Sequence, residues 1–159
     1  MMSDIETIDV EARARLAINA GSPGACGRGF VRHIEKLVFP SLPNIAGLRC
    51  RYDVSVFNDA LYASFGITCP ENIRLAVTKR RAEYLAGRHL GRILLSERGL
   101  PTRIASGNDR QPLWCAGWIG SIAHTDDVAV CCTASQAQSS ILGIDVEHWF
   151  GADTAASVR

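Results

Sequence analysis

No stretch of this chain is apolar for long enough to cross a bilayer as a helix, so a helical membrane protein is not expected. Charge of one sign is equally lacking. Seventeen Lys and Arg against sixteen Asp and Glu leave a formal net charge of +1, and no global field draws the chain to nucleic acid or to an anionic membrane. The six cysteines, Cys26, Cys50, Cys69, Cys115, Cys131 and Cys132, include no CxxC pair and no histidine partner at zinc spacing. They read as reduced, mostly buried thiols rather than a disulfide or metal framework. The N-terminus carries Asp4, Glu6, Asp9 and Glu11 where a secretory signal would need basic residues and then an apolar core, so a cytoplasmic location is the expectation. The glycine-rich stretch Gly21 to Gly29 lacks the Gly-Lys-Ser/Thr ending of a P-loop and reads as a linker. No internal repeat or low-complexity segment is present.

At 159 residues, 47% hydrophobic and 21% charged, the chain is one domain's worth of ordinary globular sequence. A short helix is expected from Thr7 to Ala20. Phe30 to Pro40 mixes apolar and basic residues, and Pro40, Pro43 and Gly47 punctuate a loop. Residues 1–47 are therefore read as an N-terminal extension and 48–159 as the domain. A first strand is expected over Leu48 to Phe57, where Tyr52, Val54 and Val56 alternate with polar residues. The longest helix should run from Thr78 to Arg98, with Gly99 and Pro101 as its stop. Beyond it come short strands at Thr102 to Ser106, Pro112 to Cys115, Gly120 to His124, Asp127 to Ala134 and Ile141 to Glu147, with a turn at Gly107-Asn108-Asp109 and a polar connection from Ser135 to Ser140. A long helix packed on a short, mostly antiparallel sheet is an α+β fold.

Charge is concentrated on the long helix, where six basic residues (Lys79, Arg80, Arg81, Arg88, Arg92, Arg98) face two acidic ones (Glu83, Glu97), a formal +4. That helix is either a solvated basic surface with a Lys79 to Glu83 ion pair or a face that meets a polyanion. A nucleic-acid partner is disfavoured, because no aromatic stacking platform accompanies the charge. In the closing segment Leu142, Ile144 and Val146 alternate with Gly143, Asp145 and Glu147, the period-2 pattern of a half-buried strand. Asp145 and Glu147 then share the outer face about 7 Å apart and suit one hard cation such as Mg²⁺; otherwise they are two exposed acids at a strand end. His124 ends a strand, where its imidazole is either a phosphate donor or a satisfied structural residue. Pro112 and Trp114 read equally as a turn and a core aromatic.

Four blocks occur in order: Lys79-Arg80-Arg81-Ala82-Glu83-Tyr84-Leu85-Ala86-Gly87-Arg88, Gly107-Asn108-Asp109-Arg110-Gln111-Pro112-Leu113-Trp114, Gly120-Ser121-Ile122-Ala123-His124 and Gly143-Ile144-Asp145-Val146-Glu147. Together they resemble the 4′-phosphopantetheinyl transferases of the enterobactin-synthase component D and surfactin-synthetase-activating type, from about Leu48 to about Ala156. The resemblance implies transfer of the phosphopantetheine arm of coenzyme A to a serine of an apo carrier protein, with Mg²⁺, in siderophore or other nonribosomal peptide biosynthesis. It implies one half of a two-fold pseudo-symmetric architecture. Arg80, Arg88 and Arg110 would hold coenzyme A phosphates, Gln111, Pro112 and Leu113 would lie along the nucleotide, and Ala123, His124 and Asp145 would complete the coenzyme A site. Asp145, Glu147 and the Val146 backbone would bind the metal. Ala123 stands where the family commonly has Ser or Thr, and Cys115 where it has Pro. The family's later Lys-Glu helix, which supplies a third acidic ligand or base and a phosphate-binding lysine, has no counterpart before Arg159. No catalytic residue is therefore assigned, and the chain is expected to correspond to the N-terminal half. A complete site would need a second half, from a longer product or by self-association through an exposed half-interface. The alternative is a fragment that binds coenzyme A and Mg²⁺ without turnover.

Overall fold

The computed structural model describes residues 29–148. The expected helix over Thr7 to Ala20, most of the glycine-rich linker, Cys26 and the stretch beyond His148 lie outside these residues. Four strands form an antiparallel sheet in the order β1-β2-β6-β5: β1 (Val31–Leu37), β2 (Ala46–Tyr52), β5 (Trp118–His124) and β6 (Val128–Ser135). A two-stranded ribbon joins β3 (Ala105–Ser106) to β4 (Pro112–Leu113). Three helices, α1 (Ala60–Ser64), α2 (Glu71–Arg74) and α3 (Thr78–Ser96), separate β2 from β3. The arrangement is α+β, with α3 lying across β2, β6 and β5.

Helix α3 forms because Ala82, Leu85, Ala86, Leu90 and Leu94 recur at helical spacing and are all buried. They meet Leu48, Cys50 and Tyr52 of β2 and Ala129 and Cys131 of β6 in one core. The helix stops where Gly99 turns to φ +66 and the Leu100 N–H returns to the Leu95 carbonyl at 3.0 Å. Gly87 and Gly91 weaken the helix by roughly 1 kcal/mol each relative to alanine, but they permit its close approach to the sheet. A Cβ at Gly87 would stand 2.5 Å from Ile122 Cγ2, and one at Gly91 2.5 Å from Ile104 Cδ1. Trp114 packs into this space as a core aromatic, its ring between Gly91 and Gly120.

Three local expectations are corrected. β1 lies in the stretch read as the end of an extension, yet it pairs with β2, and Phe30 and Val31 are buried in the core. Its alternation was hidden by a register shift between Arg32 and Glu35, with His33 at φ 52, which turns Val31, Ile34 and Leu37 into a period-3 pattern. β2 ends at Tyr52 rather than Phe57, because Asp53 Oδ1 accepts from the Ser55 amide at 2.9 Å and its hydroxyl at 2.6 Å, closing a single 3₁₀ turn over Val54–Val56. Residues 141–148 form no strand. Leu142, Ile144 and Val146 are half-buried between exposed neighbours, as alternation requires, but the segment pairs with no strand backbone. It is tied to edge strand β5 by the Ile144 amide donating to Ser121 Oγ at 3.1 Å. Period 2 encodes which way side chains face; a ladder also needs a partner's free edge in register.

Among the described residues the cysteines are free thiols, with Cys50, Cys131 and Cys132 buried. Burial pushes the Cys50 thiol up to about 12 and Cys132 to about 11, so neither is a nucleophile at neutral pH. His89 sits edge-on to Phe65, ring centroids 4.4 Å apart, with its Nε2 buried and without a partner. Burial, and secondarily Arg92, lowers it from 6.5 to about 4. The unfolded chain takes up a proton below pH 6.5 that the folded chain refuses, so stability is full above that pH and falls as pH drops towards about 4. Chemical denaturation of wild type and His89→Phe at pH about 7 and about 5 should show a pH-dependent loss about 2 kcal/mol larger in wild type; equal losses would remove His89 as its source.

Candidate functional site

Where α3 passes the β3-β4 ribbon a cleft of about 730 Å³ opens, and among the described residues no carboxylate lines it. Four arginines do: Arg88 and Arg92 from α3, Arg103 from the approach to β3, and Arg110 from the ribbon turn. Arg88 is only 6% exposed. Its guanidinium lies over the Tyr84 ring at 4.7 Å and its Nη2 donates to Ser106 Oγ at 3.1 Å and towards the Ala105 carbonyl at 3.5 Å. Its Nε is buried with no partner, a donor still to be satisfied. Tyr84 Oη and Ser106 Oγ stand 3.2 Å apart, so the helix and the ribbon are joined at the cleft floor. Arg92 donates to the carbonyls of Phe65 and Gly66 and is partly committed to structure.

Arg110 occupies a position that glycine normally fills. The Gly107 amide reaches the Gln111 carbonyl at 2.8 Å and the Arg110 amide reaches the Gly107 carbonyl at 3.0 Å, which holds Arg110 at φ +64. A side chain in that region costs about 1 kcal/mol or more, and here the cost places a guanidinium at the cleft rim. Gln111 and Leu113 are exposed and Pro112 half-buried; with Arg110 they form the ribbon's outer turn without lining the cleft themselves.

A second cluster lies one and two turns earlier along α3. Arg80, Tyr84 and Arg88, four residues apart in series, run along one side of the helix. Arg80 Nη1 lies 3.0 Å from His124 Nε2 and 3.5 Å from Glu83 Oε2, and His124 Nδ1 lies 3.6 Å from the same Glu83 oxygen. His124 reaches α3 because it shares the helix-facing side of β5 with Gly120 and Ile122, while Ala123 points to the opposite face. Tyr52 Oη donates to the Thr125 carbonyl at 2.5 Å and fixes the strand end that carries the histidine. Burial holds the His124 ring below its ordinary pKa; Glu83 opposes this, and Arg80 and Lys79 reinforce it. Lys79 does not pair with Glu83, as one reading of the helix supposed. It bonds Asp126 in the β5-β6 turn.

Asp145 and Glu147 are exposed on the segment after β6, and neither forms an ion pair with another described residue. Asp145 Oδ1 accepts from the Val146 amide at 2.9 Å. His148 Nε2 lies 3.3 Å from Asp127 Oδ1, so the acids hang between two anchors, Ser121 and Asp127. Among the described residues no three His, Cys, Asp or Glu side chains gather at metal-binding distance. Two exposed carboxylates with no ion-pair partner among the described residues are the donor type that Mg²⁺ takes, one or two at a time, with water and phosphate oxygens filling its sphere.

Residues 70–134 match the 4′-phosphopantetheinyl transferase N-terminal domain family. Over that segment the chain is similar to 4′-phosphopantetheinyl transferases. The matched segment contains every arginine of the cleft and the Arg80, Glu83 and His124 cluster. Enterobactin synthase component D of Salmonella typhimurium is 38% identical over 88 residues, covering 55% of this chain and 36% of that protein. The 4′-phosphopantetheinyl transferase Npt of Nocardia iowensis is 34% identical over 76 residues, 47% of this chain and 34% of that one. The 4′-phosphopantetheinyl transferase PptT of Mycobacterium tuberculosis is 33% identical over 103 residues, 58% and 45% of the two chains. The matches thus span between a third and a half of these transferases.

Within the matched segment the structure brings Arg88 and Arg110 to one cleft and Arg80 and His124 to one cluster. It keeps Asp145, Val146 and Glu147 on a separate exposed segment. Sequence reading had not singled out Arg103, Ser106 or Glu83 as site residues. Glu83 carried a signal, its spacing of three from Arg80; Arg103 and Ser106 had none beyond flanking the Gly107 turn. No helix among the described residues is long and apolar enough to cross a membrane.

Proposed function

We propose that this chain contributes the coenzyme A and Mg²⁺ half of a 4′-phosphopantetheinyl transferase that acts on a serine of an apo carrier protein, peptidyl, aryl or acyl, in siderophore or other nonribosomal peptide biosynthesis in the cytoplasm. The observation that carries this reading is the cleft lined by four arginines and by no carboxylate among the described residues, the arginines all within the family-matched segment. A basic cavity of that size suits a nucleotide carrying several phosphates. Arg88, Arg110 and Arg103 would neutralise phosphate oxygens, and the ribbon backbone at Gln111, Pro112 and Leu113 would border the nucleotide. Arg80 and His124 would donate to a further phosphate, with Ala123 contributing backbone only. Mg²⁺, held by Asp145 and Glu147 with the Val146 carbonyl in reach, would stabilise the charge that develops on the diphosphate. The carrier serine oxygen then bonds to the phosphorus that bears the pantetheine arm, the bond to 3′,5′-ADP breaks, and the serine proton leaves to a base. The chain would then be one half of a pseudo-symmetric enzyme, with β1 part of that half. The other half would come from further chain or from self-association.

Two measurements test the reading. The first incubates the purified chain with apo carrier protein, coenzyme A and Mg²⁺ and follows the carrier's intact mass. Addition of one phosphopantetheine, lost in Asp145→Ala, supports a complete transferase. No addition beside a working full-length relative supports the binding-only alternative. The second titrates the coenzyme A complex with Mn²⁺ as the probe metal. Asp145→Asn should weaken binding at least about tenfold, roughly 1.4 kcal/mol, and unchanged binding would remove Asp145 as a ligand.

A further inference from the structure

Glu83 is the one buried carboxylate among the described residues, 8% exposed, and it stands beside a cluster read as phosphate-binding. A fixed negative charge there opposes an incoming anion unless it serves the site in another way. Its position shows what it does in the free protein. A guanidinium can only donate, so the 3.0 Å contact between Arg80 Nη1 and His124 Nε2 makes Nε2 the acceptor. The ring is then neutral, with its proton on Nδ1, the nitrogen 3.6 Å from Glu83 Oε2. One cation, one anion and one neutral ring thus form a closed set in which Arg80 is turned inward.

A phosphate reaching this cluster would compete for the Arg80 guanidinium, whose side chain is 39% exposed, and could turn it away from His124. That frees the Nε2 lone pair beside a dianion on one side and Glu83 on the other. We propose that Glu83 is a positioning residue that couples phosphate capture to proton uptake, holding Arg80 and His124 together in the free protein and stabilising the His124 imidazolium once Arg80 has turned to the phosphate. One proton passes from solvent to Nε2, which then donates to a phosphate oxygen, and no other bond forms or breaks. The charged groups acting on the ring are Glu83, Arg80 and Lys79, all from α3. On the hairpin side Asp126 is taken up by Lys79, and Asp127 by Arg51 and His148. In the closed set burial and Arg80 keep the ring unprotonated; removing Arg80 leaves the Glu83 contribution to act with the phosphate.

The inference rests on the coenzyme A reading above, and calorimetry of the 159-residue chain with coenzyme A separates the two. Titrations at pH about 7 in two buffers of different ionisation enthalpy should show close to one proton taken up, with affinity falling towards tenfold per pH unit as pH rises to about 8. In Glu83→Gln and in His124→Gln the uptake and the pH slope should vanish. Uptake retained in either variant overturns the inference alone, while no coenzyme A binding by wild type overturns the reading beneath it and the inference with it. A measurement that needs no variant is the ¹⁵N spectrum of His124 in the free protein. The Nδ1–H tautomer is expected, and an Nε2–H ring would overturn the closed set.

Discussion

Replacing Arg88 with alanine should lower coenzyme A affinity by at least about 100-fold, close to 3 kcal/mol. The side chain is buried at the cleft floor, stacked on Tyr84 and hydrogen-bonded to Ser106, so its guanidinium is already oriented before any anion arrives. Removal takes away a preorganised cation and its unpartnered Nε, and water entering the vacated space replaces neither. Arg88→Lys keeps the charge and loses the fork and the stacking, and should fall between the two, roughly tenfold weaker than wild type. Binding calorimetry, with circular dichroism to confirm the fold, reads both. Wild-type affinity in a folded Arg88→Ala protein would mean that the cleft is not where the phosphates sit.

The largest stability effect is expected at Gly120. A Cβ there would stand 2.5 Å from Trp114 Cε2 and 2.7 Å from the Cys132 carbonyl oxygen, closer than real side chains come. Neither neighbour can give way: the indole is held on its other side by Gly91 and α3, and the carbonyl belongs to the central strand β6. Gly120→Ala should therefore cost about 4 kcal/mol, a melting temperature lower by roughly 10 °C. Gly143→Ala meets nothing within 4 Å and serves as the control, with a change under about 0.5 kcal/mol. Equal melting temperatures for the two variants would show that α3 and the sheet are less closely apposed than described. The site would suffer with the fold, since Gly120 and His124 share one face of β5 and α3 carries both Arg80 and Arg88.

The sequence by itself determined what is local or periodic. The apolar spacing and the Gly99 stop place α3 within two residues of its observed end, and the alternations at Gly120 to His124 and Asp127 to Ala134 become β5 and β6 within two residues at each end. Four ordered blocks were enough to indicate the resemblance that the family match over residues 70–134 also carries. Adjacent Cys131 and Cys132 point to opposite faces of β6, as alternation demands, although both are buried. Tertiary structure decided what depends on a partner distant in the chain. β1 was illegible because a register shift breaks its period, and pairing with β2 makes it a strand regardless. Residues 141–148 carry a strand's alternation without forming a strand, because one hydroxyl of β5 rather than a backbone ladder receives them. Arg103 entered the cleft and Glu83 entered the histidine cluster through contacts that no local spacing encodes. Glu83 and His124 are 41 residues apart and meet only because Gly87 lets α3 lie against Ile122 of β5. A short-range pattern sets the direction of each side chain relative to its own backbone; which groups then share a buried, low-dielectric space is set by how the elements pack.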